Sequence, residues 1–214
     1  GLVGSEMCIR DRCTLMAALP GWTRSSGTLT LRLLQGNIAQ DEKFQASSGI
    51  VQALDWYGRA LRQPGAELVL APETALPMLP QQLPVGYWEA LQQRFASGDQ
   101  AALLGLPLGN QRQGYTNSAI ALVPGQATPY RYDKYHLVPF GEFIPPLFRW
   151  FTELMNIPLG DFERGAVLQP SLHWRGQRLA PNICYEDLFG EELAARFADP
   201  SGAPTLLVNL SNIG

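Results

Sequence analysis

From Thr28 onward the chain alternates between short apolar runs and stretches of helical periodicity, and several runs end on a polar residue able to do chemistry. TLTLRLLQGN (28–37) has apolar residues at alternate positions and predicts a strand closed by a Gly-Asn turn. Within 47–63, Ile50, Val51, Leu54, Tyr57 and Leu61 fall at helical spacing, with Ser47 or Ser48 as a cap. ELVLA (67–71) predicts a short buried strand, YWEALQQRFAS (87–97) a second amphipathic helix, and AALLGLP (101–107) another strand. The rhythm then changes to hairpins. NSAIALV (117–123) and TPYRYD (128–133) flank a Pro-Gly turn, and SLHWR (171–175) and RLAPNIC (178–184) flank Gly176. A helix over 188–198 and a strand TLLVNL (205–210) follow. Helices interleaved with both parallel-type and hairpin strands predict an α/β sandwich in which helices cover mixed sheets.

Composition removes several function classes. A chain of 214 residues, 46% apolar and 16% charged, is globular and can hold one substantial core or at most two small ones. The net charge of −3 and the scattered Lys and Arg argue against nucleic acid as a partner. Cys8, Cys13 and Cys184 form no C-x-x-C, and the histidines are only His136 and His173, so neither a disulfide framework nor a metal or other cofactor is expected. There is no G-x-S-x-G for serine chemistry, and Gly105 and Gly109 are too far apart for a phosphate-cradling loop. No run of 18 apolar residues is present to span a bilayer.

Three candidates for acid, base or nucleophile stand at the carboxyl ends of apolar strands: Glu73 after ELVLAP, Lys134 after TPYRYD, and Cys184 at the end of RLAPNIC. Strand ends of this kind face the crevice where α/β proteins place their sites. A thiol attacks only as thiolate, so it needs a base to take its proton or a cation to lower its pKa. Glu73 is the candidate base. Lys134, or backbone N–H groups in the turn after Cys184, are candidates to hold the oxyanion formed when a thiolate adds to a carbonyl. A helix starting near Leu188 would point its positive dipole end at the thiolate. Each residue alone also has an ordinary reading: a helix cap or surface charge for Glu73, a solvated lysine, a small buried cysteine.

APETALP, YDKYHLVPFGEFIPP and NICYED, in that order, resemble the three signature segments of the nitrilase superfamily and, more narrowly, the periplasmic domain of the apolipoprotein N-acyltransferases. LLQGNIAQ and LLVNLSN resemble that family's first strand and its post-cysteine strand, so the likeness runs from about Leu31 to Asn212. It implies a nitrilase-like α-β-β-α sandwich with mixed sheets, and acyl transfer in two halves with Glu73, Lys134 and Cys184 catalytic. Cys184 would take an acyl chain from a phospholipid as a thioester, and the amine of a diacylglyceryl-cysteine apolipoprotein would then receive it. Glu142, Tyr185 and Glu186 are implied as supporting residues that orient Lys134 or shape the pocket, and Phe44 stands where the family often has Trp. The resemblance also implies a monomer in the bacterial inner membrane, with its catalytic domain on the periplasmic side.

FIPPLFRWFTELMNIPLG (143–160) carries only Arg149 and Glu153 as charges. A helix apolar nearly all round is either buried in a core or set against lipid, and Phe148, Trp150 and Phe151 are the candidate lipid contacts. Of the termini, GLVGSEMCIRDR (1–12) has no apolar signal-peptide core and reads as a non-native, adapter-like tail. Residues 13–27 read as a linker or the remnant of a preceding membrane segment, and 28–214 as the catalytic domain, expected to be truncated at its C-terminus because it stops just after a strand. The first rival reading is a soluble carbon–nitrogen hydrolase (amidase) that uses the same three residues with water as acceptor, and the second is a catalytically dead nitrilase-like binding module, against which the intact Glu, Lys and Cys set argues.

Overall fold

A computed structural model describes residues 14, 25–38, 49–139, 142 and 162–212. Its larger sheet runs in the order β1 (Leu31–Leu33), β2 (Leu68–Leu70), β3 (Ala101–Asn110), β4 (Gly114–Leu122) and β5 (Tyr130–Asp133). The first three strands are parallel, and β4 and β5 return antiparallel. Parallel neighbours need crossovers, and α1 (Gly49–Leu61) and α2 (Tyr87–Ala96) supply them. A second sheet joins β6 (Leu172–Trp174) antiparallel to β7 (Gln177–Ile183), and β7 parallel to β8 (Leu206–Leu210) across α3 (Gly190–Ala195).

Both faces of β2 and β3 are buried, which explains their continuous apolar sequences. Val69, Ala102, Leu104 and Leu106 turn towards Leu54, Tyr57, Leu61, Leu91 and Phe95 of the two helices. Leu68, Leu70, Ala101 and Leu103 turn the other way, onto Leu172, Leu179, Ile183 and Val208 of the second sheet. The layers are therefore helix, sheet, sheet, with α3 tied to β7 where Arg196 donates to the Pro181 carbonyl at 2.9 Å. Burying Leu91 or Phe95 contributes about 1.5–3 kcal/mol each, against about 1 kcal/mol for an N-cap. That difference lets α2 start at Gly86 with no side-chain cap.

The mixed sheets match the expected architecture, and three elements differ in extent. The strand expected over 28–37 is only Leu31–Leu33, because its partner β2 is itself three residues long and the ladder ends there. The strand expected to stop at Pro107 continues to Asn110 and pairs with β4 from Gly114. Pro107 is tolerated because β2 pairs only with 101–103, leaving that edge of β3 outside the parallel ladder. The helix expected over 188–198 is a 3₁₀ turn at Cys184–Leu188 followed by the short α3. The β6–β7 hairpin closes on Arg175 and Gly176, both at positive φ, as a two-residue turn requires. Ser47, Ser48, residues 1–12, most of 13–27 and the apolar stretch 143–160 lie outside the described residues.

Candidate active site

Glu73, Lys134 and Cys184 come from three strand ends, as their positions in the sequence predict. Glu73 follows β2 by way of Pro72, and Gly105 of β3 makes room for it: a Cβ there would lie 2.6 Å from the Glu73 Cα and 2.5 Å from the Pro72 carbonyl. Thr74, next in the chain, takes a left-handed φ of 50°. Lys134 follows β5 directly, and its N–H donates to the Asn117 carbonyl at 2.8 Å. Its side chain is 1% exposed, with Nζ 3.0 Å from Glu73 Oε1 and 2.9 Å from Glu142 Oε2. Burial alone would lower the ammonium pKa, but the two carboxylates outweigh it and hold Lys134 above its ordinary value. This lysine is a fixed cation and a poor base.

Cys184 sits at the sharp junction of β7 and the 3₁₀ turn, at φ 57°. A left-handed conformation costs a non-glycine residue about 1–2 kcal/mol and persists only where neighbours enforce it. Two side chains do so. Asn209 of β8 donates to the Cys184 carbonyl at 2.6 Å and also to Asn182 Oδ1. The Glu186 carboxylate accepts from Ile183 N–H at 2.7 Å, and reaches across to Tyr135 N–H at 2.7 Å, His136 N–H at 3.1 Å and Tyr132 O–H at 2.9 Å. Burial first, and then the Glu186 charge, raise the Tyr132 pKa and keep its phenol a donor. Glu186 thus fastens the cysteine turn to the lysine loop. Tyr185 adds a second tie through its hydroxyl, which donates to the Leu137 carbonyl at 3.0 Å, and its ring lies 5.9 Å from Lys134 Nζ.

The thiol itself is not activated in its resting state. Burial raises its pKa, the Glu73 charge adds to that, and Lys134, Ser211 and the Tyr185 N–H offset them only in part. Of the two ways to make a thiolate, the resting arrangement is the one suited to a base and not to a permanent ion pair. Cys184 should therefore react slowly with iodoacetamide at neutral pH, with a rate that still climbs where a free thiol in the same buffer has levelled off. The sign follows from the raised pKa, which leaves less thiolate at any given pH. A plateau at or below that of the free thiol would show the lysine overriding burial.

Glu142, Tyr185 and Glu186 all reach the site. The structure adds Asn117, Asn182, Asn209 and Ser211, none of which the sequence had singled out. Asn117 donates from Nδ2 to Glu73 Oε1 at 2.7 Å and to Glu142 Oε1 at 2.6 Å, and its own Oδ1 is buried with no hydrogen-bond partner among the described residues. Such an orphan acceptor costs about 1–3 kcal/mol. The signal available was a polar residue inside or heading a buried apolar run: Asn117 before SAIALV, Asn209 within LLVNL. Phe44, Phe148, Trp150 and Phe151 lie outside the described residues. Among the described residues no helix is long and apolar enough to cross a membrane.

A mixed α/β sandwich that brings a partly buried cysteine, a lysine and a glutamate together from strand ends, with a second glutamate beside them, has a layout suited to thiol chemistry on carbonyl carbon. The family model for carbon–nitrogen hydrolases matches residues 30–212, and the chain belongs to that family. It is 66% identical over 208 residues to a protein of Verminephrobacter eiseniae named apolipoprotein N-acyltransferase, a match covering 97% of this chain and 38% of that one. A protein of the same name from Ralstonia nicotianae is 47% identical, covering 90% of this chain and 37% of the relative. The chain thus spans well under half the length of these two relatives. Among solved structures it resembles a carbon–nitrogen hydrolase from Helicobacter pylori (TM-score 0.54, 18% identity, 87% of this chain and 60% of that one). It also resembles an amidase from Nesterenkonia (TM-score 0.53, 19% identity, 90% and 68%), and both likenesses bear on the fold alone.

Proposed function

We propose that this chain carries the catalytic centre of an acyltransferase that moves an acyl chain from a membrane phospholipid, through a thioester on Cys184, to the amine of a diacylglyceryl-cysteine apolipoprotein. The observation that carries the chemistry is the Glu73–Lys134–Glu142 cluster beside a protonated, partly buried Cys184. The high identity to relatives named as apolipoprotein N-acyltransferases favours transfer to an amine over hydrolysis. The work would take place at the bacterial inner membrane, on the periplasmic side.

In the first half the Cys184 S–H bond breaks, its proton passes to the Glu73 carboxylate, and the thiolate adds to the phospholipid ester carbonyl. Lys134 Nζ and the Tyr185 N–H receive the oxyanion. Collapse breaks the ester C–O bond, and the proton on Glu73 goes to the departing alkoxide of the lysophospholipid. In the second half the acceptor amine adds to the thioester and loses a proton to Glu73. The C–S bond then breaks, and the thiolate recovers that proton.

Intact mass of the full-length protein after incubation with phospholipid tests the reading. An acyl adduct removable by hydroxylamine is expected, and none in Cys184→Ala. Active protein with no adduct would sink the thioester. An adduct that turns over to free fatty acid as fast without an acceptor amine as with one would instead favour the hydrolase.

A further inference from the structure

Lys134 follows the outermost strand of its sheet. β5 pairs with β4 on one side, and among the described residues no strand lies along its other edge. Because the Lys134 N–H bonds to the Asn117 carbonyl, the alternation of an antiparallel pair turns the Asp133 N–H and C=O away from β4. Groups left open at a strand end fray readily. One side chain takes both. Gln169 accepts from the Asp133 N–H at 2.8 Å and donates to the Asp133 carbonyl at 2.6 Å, as one residue of a neighbouring strand would. Its other Nε2 proton goes to the Ala166 carbonyl at 2.9 Å, so a flipped amide would set oxygen against two carbonyls. The same segment grips the next residue: the Gly165 N–H donates to the Lys134 carbonyl at 2.9 Å, and a Cβ on Gly165 would collide with the Asp133 carbonyl. The Asp133 carboxylate accepts from Ser118 Oγ at 2.6 Å and Arg131 Nε at 2.8 Å, so the residue before Lys134 is held by backbone and side chain alike.

We infer that Gln169 is a positioning residue for the reaction, whose amide closes the free edge of β5 at Asp133 and so holds Lys134 where it meets the oxyanion. This rests on the thioester reading given above. Lysine carries its charge on a flexible four-carbon stem, so Nζ is placed only as well as the backbone that bears it. A displacement of about 1 Å in a group that positions a reaction can cost about 10²-fold in rate. The two ends of the amide have distinct duties. Gln169→Glu keeps the acceptor for the Asp133 N–H but sets an oxygen against the Asp133 and Ala166 carbonyls. Gln169→Ala removes both ends and lets water take their place, so the glutamate is the more damaging change.

The test is a double-variant cycle on thioester formation by full-length protein in detergent. The rate is that of p-nitrophenol release from p-nitrophenyl butyrate, where the thiol adds to the ester carbonyl and p-nitrophenol leaves, with the Cys184→Ala rate subtracted. Gln169→Ala is expected to slow release about tenfold when Lys134 is present, and by less than about twofold in a Lys134→Met background, because it acts through the lysine. Gln169→Glu is expected to slow release further than Gln169→Ala, and likewise to lose its effect once Lys134 is gone. A glutamine that only stabilises the fold would lower the rate by the same factor in both backgrounds, which overturns the inference. An unchanged rate in Gln169→Ala, or failure of both variants to fold, overturns it as well. Release no faster in wild type than in Cys184→Ala overturns the thioester reading instead.

Discussion

Lys134→Met is expected to slow thioester formation by about 10³-fold or more, because it removes two functions at once. The first, on the proposed reading, is the donor to the oxyanion, whose loss costs about 10²–10³ in rate at comparable sites. The second is charge balance. Lys134 is the partner of both Glu73 and Glu142, whose side chains are only 13% and 12% exposed. Without it the two carboxylates lose the cation they share, and the Asn117 amide that bridges them is neutral. Breaking a buried pair by deleting one partner costs about 3–5 kcal/mol, so the melting temperature should fall alongside the rate. The double variant Lys134→Met with Glu142→Gln separates the two effects. It restores the charge count, so stability should recover by about 1–3 kcal/mol while the rate stays low. Recovery of the rate together with stability would show that Lys134 only balances charge and does not meet the oxyanion.

The parts of this site that were legible in the sequence are those that interrupt a hydrophobic period. Glu73 and Cys184 each stop an apolar run at a strand end, Lys134 follows the end of the mixed strand YRYD, and a strand end fixes where a side chain faces. Glu142 was visible only through its motif. Its position depends on a loop in which Val138 N–H donates to its Oε2 at 2.8 Å, and no periodicity encodes such a loop. Asn117 was hidden for another reason. Read along the chain, a polar residue before SAIALV marks a hairpin edge, and only the return of β5 beside β4 shows that it faces two glutamates. The longer helix expected over 188–198 failed on electrostatics and backbone geometry. The left-handed Cys184 and the bond from Ile183 N–H to Glu186 commit 184–188 to a tight 3₁₀ turn before α3 begins.

That tight turn makes Glu186 the second residue whose loss should be severe. Its carboxylate accepts three backbone N–H groups and one phenol, drawn from both sides of the site, and it is 5% exposed. Hydrogen bonds to a charged acceptor contribute about 1.5–3 kcal/mol each, and buried donors left without a partner are costly. Glu186→Ala strands the N–H groups of Ile183, Tyr135 and His136 together, so a loss of about 3–5 kcal/mol is expected. Glu186→Gln is no mild replacement, since one oxygen becomes an NH₂ that faces donors. The informative measurement is amide hydrogen exchange in full-length protein. Exchange at Tyr135 and His136 should speed up together with exchange at Ile183, because one carboxylate holds both segments. Acceleration on the Ile183 side alone would mean that the lysine loop is held independently, through Tyr185 and the Leu137 carbonyl. In that case Glu186 shapes the cysteine turn only, and the spacing between Cys184 and Lys134 has another source.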